Sequence, residues 1–161
     1  MSTPNDHDIK VLNGLIETTL DSADGYREAA HETTDPHYRT LFERRAEERR
    51  QAVEELQAAV RGLGGDPGSH GSILAKAHRA FLDLKHALLR DDDSVVGTVE
   101  SGEQFIASKY ERAMHDGDIS ATTRETVRRA YDRVRAGHEQ MLELKRSLES
   151  QRDASSPLFP Q

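Results

Sequence analysis

Apolar residues recur along most of the chain at alternating steps of three and four, the spacing that lines one side of an α-helix. A first stripe of Ile9, Leu12, Ile16, Leu20, Ala23 and Ala30 predicts a helix over about residues 8–31, with Asp6 as its N-cap. Asp35-Pro36 is a restart signal, a capping side chain followed by proline at the first helical position. The second helix then runs along Phe42, Ala46, Arg49, Val53, Leu56 and Val60. It stops at Gly62-Leu63-Gly64-Gly65-Asp66-Pro67-Gly68, which reads as a terminus and loop. A shorter third helix, about residues 72–89, turns Ile73, Ala77, Phe81, Leu84 and Leu88 inward. One of Asp91, Asp92 and Asp93 caps a fourth, about residues 93–115, with Val96, Val99, Glu103, Ile106, Tyr110 and Ala113 inside. The last pattern, about residues 120–148, aligns Val127, Tyr131, Val134, His138, Met141, Lys145 and Leu148.

Four long stripes of similar length can bury one another in an all-α four-helix bundle, with the short third helix in the connection between two halves. A weak internal echo supports the pairing. Tyr26-Arg27-Glu28-Ala29-Ala30-His31 near the end of the first helix is similar to Tyr110-Glu111-Arg112-Ala113-Met114-His115 near the end of the fourth. The expected organisation is a flexible arm over residues 1–7, one helical domain over 8–149 and a disordered tail over 150–161.

Composition sharpens this picture. At 161 residues the chain is long enough for one domain with a real core, and 32% charged against 35% hydrophobic residues suits solvated amphipathic helices. A net charge of −7 argues against a nucleic-acid partner. No apolar run approaches the roughly 18 residues of a membrane span, and the first ten residues lack a signal-peptide core. The absence of cysteine excludes disulfide and thiolate chemistry and is compatible with a cytoplasmic protein.

Candidate chemistry lies where polar residues interrupt the stripes. Arg49, Glu103 and His138 sit near the middles of the second, fourth and fifth helices and so share roughly one layer. Two readings follow. One is a buried hydrogen-bond network of Arg49, Glu103 and His138, with Asp24 or Glu28 as a second choice of partner for Arg49. The other is a single divalent metal ion (Fe, Mn or Zn) held by Glu17, Glu103 and His138. The paired-metal pattern needs Glu-x-x-His on two helices, yet Arg135 stands three before His138, and no glutamate of the second helix has a histidine three residues on. A fixed cation at Arg49 also opposes a second cation in its layer and favours the network. No serine or threonine shows a base partner at a readable spacing, and the glycines after the second helix lack the lysine and hydroxyl of a phosphate loop.

Several segments together resemble an uncharacterised bacterial family of ferritin-like four-helix-bundle proteins. They are Leu12-Asn13-Gly14-Leu15-Ile16-Glu17, Gly25-Tyr26-Arg27-Glu28-Ala29-Ala30, Leu63-Gly64-Gly65-Asp66-Pro67, His78 with Asp83-Leu84-Lys85, Glu100-Ser101-Gly102-Glu103 and Tyr110-Glu111-Arg112-Ala113. The resemblance spans about residues 8–149. It implies paired helices with a long crossover and carries no established activity, because the iron chemistry of the wider group depends on ligands missing here. The expected function is that of a non-enzymatic bundle without a cofactor, acting through its surface as a homo-oligomer or on a protein partner. The third helix, with Lys76, Arg79 and Lys85, and the outer faces of the first and fourth are the expected docking places. A degenerate single-metal site is the alternative.

Overall fold

Every stripe becomes a helix. The computed structural model describes residues 4–68 and 74–155, with the side chains at 4, 74–81, 138, 141, 142, 145, 148, 149 and 151–155 outside the description. Its elements are α1 (Pro4–Glu32), α2 (Pro36–Gly62), α3 (Leu74–Arg90), α4 (Asp92–Met114) and α5 (Ala121–Ser155). No strand occurs among the described residues. The end helices run past the bounds suggested by their stripes, because polar terminal turns carry no apolar period. Proline is tolerated in a first helical turn, so α1 begins at Pro4. Asp6 lies inside that first turn rather than at the cap, where its charge faces the positive end of the helix.

Local chemistry sets the other boundaries. Asp35 is extended (φ −82°, ψ 116°), and its carboxylate accepts from the His37 amide at 2.8 Å, just ahead of Pro36. Gly64 ends the α2 turn at φ +83°, a backbone conformation in which a Cβ would be strained. Of the three consecutive aspartates, Asp91 is the cap, accepting from the Ser94 amide at 2.7 Å.

The two hairpins α1–α2 and α4–α5 pack together through α2 against α5 and α1 against α4, which closes a four-helix bundle. α3 lies along α1 and α4 and carries the chain from one hairpin to the other. Two apolar clusters fill the interior. Leu12, Ile16, Leu56, Val60, Ile106, Tyr110, Val127 and Val134 form the one nearer the α4–α5 turn. Tyr26, Phe42, Leu84, Val95, Val99 and Leu144 belong to the other, near the α1–α2 turn. Between these clusters lies a layer of buried charged and small residues that holds Arg45, Arg49, Glu103 and Gly137.

One further polar contact locks the start of α1 to the start of α5. Asp8 is buried, and its carboxylate accepts from Thr123 Oγ1 at 2.8 Å and from the Ser120 amide at 3.3 Å, while Ser120 Oγ accepts from the Thr123 amide. Asp8→Ala leaves the Ser120 amide and the Thr123 hydroxyl without that acceptor, at an expected cost of about 1–3 kcal/mol. Urea midpoints should show this loss, whereas Glu54→Ala on the exposed side of α2 should stay within about 0.5 kcal/mol of the parent.

Candidate functional site

Arg45 and Arg49 are one helical turn apart on α2 and therefore share a face. Both are fully buried at 0% exposure, and Glu103 on α4 is 1% exposed. Arg49 Nη2 donates to both oxygens of Glu103. Its Nε donates to Ser22 Oγ at 3.2 Å and its Nη1 to the Val134 carbonyl at 3.3 Å, so each guanidinium nitrogen has a partner on a different helix. Tyr26 completes the cluster by donating its hydroxyl to Glu103 Oε1 at 2.5 Å. Alongside, the Thr19 and Tyr110 hydroxyls are 2.7 Å apart.

Burial would pull the Arg49 guanidinium down. The charge and hydrogen bond of Glu103 outweigh it and hold the group above its ordinary value. Arg45 differs. Its Nη1 donates to Glu48, one turn on and partly exposed, whereas Nε and Nη2 have no hydrogen-bond partner among the described residues. Burial lowers its pKa despite the Glu48 charge, and Arg49 pushes the same way.

α5 makes room for both cations by lacking a side chain at one point. A Cβ at Gly137 would stand 2.6 Å from Arg45 Nη1 and 3.2 Å from Arg49 Nη2. The inner face of α5 runs through Thr123, Val127, Ala130, Val134, Gly137 and Leu144. The expected stripe read Tyr131 there, one position after Ala130. Tyr131 is partly buried and donates to Glu111 Oε1 at 2.7 Å.

The structure thus brings Arg49 and Glu103 together. The His138 side chain lies outside the described residues. Glu17 is on the exposed face of α1, because Leu15, Ile16 and Thr19 take the interior of its turn. Asp24 pairs with Arg27 at 3.1 Å and Glu28 is exposed, so neither second-choice partner of Arg49 is used. Sequence reasoning passed over Arg45, Tyr26 and Gly137 as members of this layer. Tyr38, Phe42, Arg45, Arg49, Ala52 and Leu56 continue one unbroken four-three alternation, a signal by which Arg45 was readable.

An ionised carboxylate offers about four lone-pair sites, and Glu103 uses three of them on Arg49 and Tyr26. The pair is built to hold charge in place, with little left for a ligand. A cluster of metal-type ligands lies elsewhere, at the α4–α5 turn. His7 Nε2 is 2.8 Å from Asp116 Oδ2, and with Asp118 the ligand atoms fall within 4.8 Å of one another. Asp116 Oδ1 also accepts from the Asp118 amide at 2.9 Å, and that bond, followed by the one to His7, holds the carboxyl below its usual range. His7 and Asp118 are exposed.

Residues 7–116 match the family described as a domain of unknown function, DUF2383. The chain belongs to that family. No curated protein matches the chain. The matched span holds Tyr26, Arg45, Arg49 and Glu103, so the charged layer of this DUF2383 member lies inside the family domain on three of its four walls.

Two predictions come from the layer. Arg49→Met should destabilise by about 3–5 kcal/mol, because Glu103 stays buried without its cation. Glu103→Leu should do the same, and the double variant should recover much of the loss. Denaturant midpoints for the cycle read the coupling directly, and additive losses would show that the two residues act independently.

The second concerns alkaline pH. Burial, with the Glu103 charge adding to it, pushes the Tyr26 hydroxyl well above 10, and burial pushes Tyr110 up to about 12. Above about pH 10 the unfolded chain sheds tyrosine protons that the fold retains, so stability is full below that pH and falls on rising toward 12. Denaturant midpoints should therefore decline between roughly pH 9.5 and 11.5. Tyr110→Phe should decline less steeply than the parent, measured from its own value at neutral pH.

Proposed function

We propose that this DUF2383 chain is a non-enzymatic, ferritin-like bundle that works through its surface, associating with a second copy or with a protein partner. The observation that supports it most is the occupied carboxylate. Glu103, the one acid buried in the central layer among the described residues, is engaged by a fixed internal cation and a tyrosine. The interior is spent on fixing the fold, and interaction falls to the outside. There Leu89 at the end of α3 is 77% exposed and Phe105 on α4 is 59% exposed, with Lys109 Nζ 5.3 Å above the Phe105 ring. Exposed large apolar side chains of this kind mark interaction faces when they are clustered or rimmed by charge. Of the basic residues on α3, Lys85 is half-buried, and the side chains of Lys76 and Arg79 lie outside the described residues.

The reading includes the Arg49–Glu103–His138 layer as a core network without a cofactor. It also includes a cytoplasmic location, which the cysteine-free composition accommodates. No helix among the described residues is long and apolar enough to cross a membrane. The competing reading, one divalent ion on Glu17, Glu103 and His138, has to displace Arg49 from Glu103 and turn Glu17 inward.

Sedimentation over low to high micromolar protein is the test. We expect concentration-dependent association that weakens in Leu89→Ser and Phe105→Ser, with helicity unchanged. A strict monomer throughout removes the homo-oligomer form of the proposal. Elemental analysis of untagged protein decides the competing reading: near-stoichiometric iron, manganese or zinc that vanishes in Glu103→Ala would replace ours.

A further inference from the structure

The start of α1 meets the turn between α4 and α5, and ligand atoms from the two converge there. His7 and Asp116 are 109 residues apart in the chain, yet His7 Nε2 is 2.8 Å from Asp116 Oδ2. A carboxylate oxygen of Asp118 joins them, with all three ligand atoms within 4.8 Å of one another. The Asp118 amide donates to Asp116 Oδ1 at 2.9 Å, which holds that carboxylate with Oδ2 turned to His7. Arg124 spends its donors on the Met114 and Asp116 carbonyls, at 3.1 and 2.8 Å.

An ion pair between His7 and Asp116 accounts for only part of this arrangement. It leaves the exposed Asp118 carboxylate beside that of Asp116, two like charges in one turn. A divalent cation accounts for all three residues. The two carboxylates neutralise it, and the imidazole selects the zinc class over magnesium or calcium, which prefer oxygen ligands throughout. Ligand atoms held about 2.0–2.1 Å from a tetrahedral zinc ion lie about 3.3–3.4 Å from one another. His7 and Asp116 have to part by roughly half an ångström to reach that spacing. His7 and Asp118 are both exposed, so their side chains can turn to meet an ion arriving from water.

We propose that His7, Asp116 and Asp118 bind one divalent cation of the zinc class, with water in the remaining position. His7 belongs to the α1–α2 hairpin and the two aspartates to the α4–α5 hairpin. The ion therefore staples the hairpins at the end of the bundle where Asp8 already bonds Ser120 and Thr123. The buried Arg49–Glu103 layer takes no part in it.

The test uses the untagged full chain, stripped with a chelator and titrated calorimetrically with zinc chloride near neutral pH. We expect one ion per chain and a thermal midpoint that rises with zinc and levels off, with no such rise from magnesium. Asp118→Asn keeps the amide bond to Asp116 and removes one ligand charge, whereas His7→Gln removes the imidazole. Each should weaken zinc binding at least about tenfold, the low end of the loss when even a supporting partner of a ligand is removed. The metal-free thermal midpoint of Asp118→Asn should match the parent, which separates lost binding from lost folding. His115→Gln, an exposed histidine of the same turn, and His31→Gln, at the far end of α1, should bind as the parent does. The proposal is overturned if zinc shows no saturable binding, or if magnesium raises the midpoint equally. Zinc that binds unchanged in His7→Gln or Asp118→Asn lies elsewhere and overturns it too.

Discussion

A guanidinium in the middle of a helical bundle must be met by a carboxylate from another helix, and that requirement organises this protein. Arg49 reaches across from α2 to Glu103 on α4, while its other nitrogens find Ser22 on α1 and a carbonyl of α5. One side chain thus touches all four walls. Apolar packing alone permits helices to slide by a turn with modest loss, because similar residues replace one another along the stripes. A buried ion pair resists this, since a slip of one turn takes Arg49 off Glu103 and leaves a buried charge without its partner. Arg49 and Glu103 therefore define the axial alignment of the two hairpins, a specifying role more than a stabilising one.

Much of this was legible in the chain. Arg49 and Glu103 stood out because each occupied a position where the three-four alternation of α2 and α4 demanded an apolar residue, and the midpoints of their helices coincided. Asp35-Pro36 and the glycines after Val60 fixed the α2 ends through backbone chemistry that acts within a few residues. The third helix could be assigned to the connection because it was too short to span the others.

What escaped did so for physical reasons. Arg45 sits in the run Glu43-Arg44-Arg45-Ala46-Glu47-Glu48, whose charge density is that of a solvated face, and only its phase between Phe42 and Arg49 betrays it. On α5 the aromatic body of Tyr131 drew the stripe one position past the buried Ala130. The true line passes through Ala130 and Gly137, whose small side chains carry little hydrophobic signal. Glu17 was a ligand candidate on depth alone, and depth along a helix says nothing of which way a side chain faces. That direction depends on the neighbours, here Leu15, Ile16 and Thr19, which fill the inner side.

The missing side chain at Gly137 also constrains the order in which this sequence can change. Two cations on α2 lean on that gap, one of them within 2.6 Å of where a Cβ would go. A lineage that acquires alanine at 137 while both arginines remain has to shift the buried end of Arg45 to make room. A lineage that first loses Arg45 needs no such shift. Substitutions at 45 and 137 are therefore expected to be historically contingent, with the arginine leaving before the glycine. Glycine should arrive before the arginine wherever the layer is built anew.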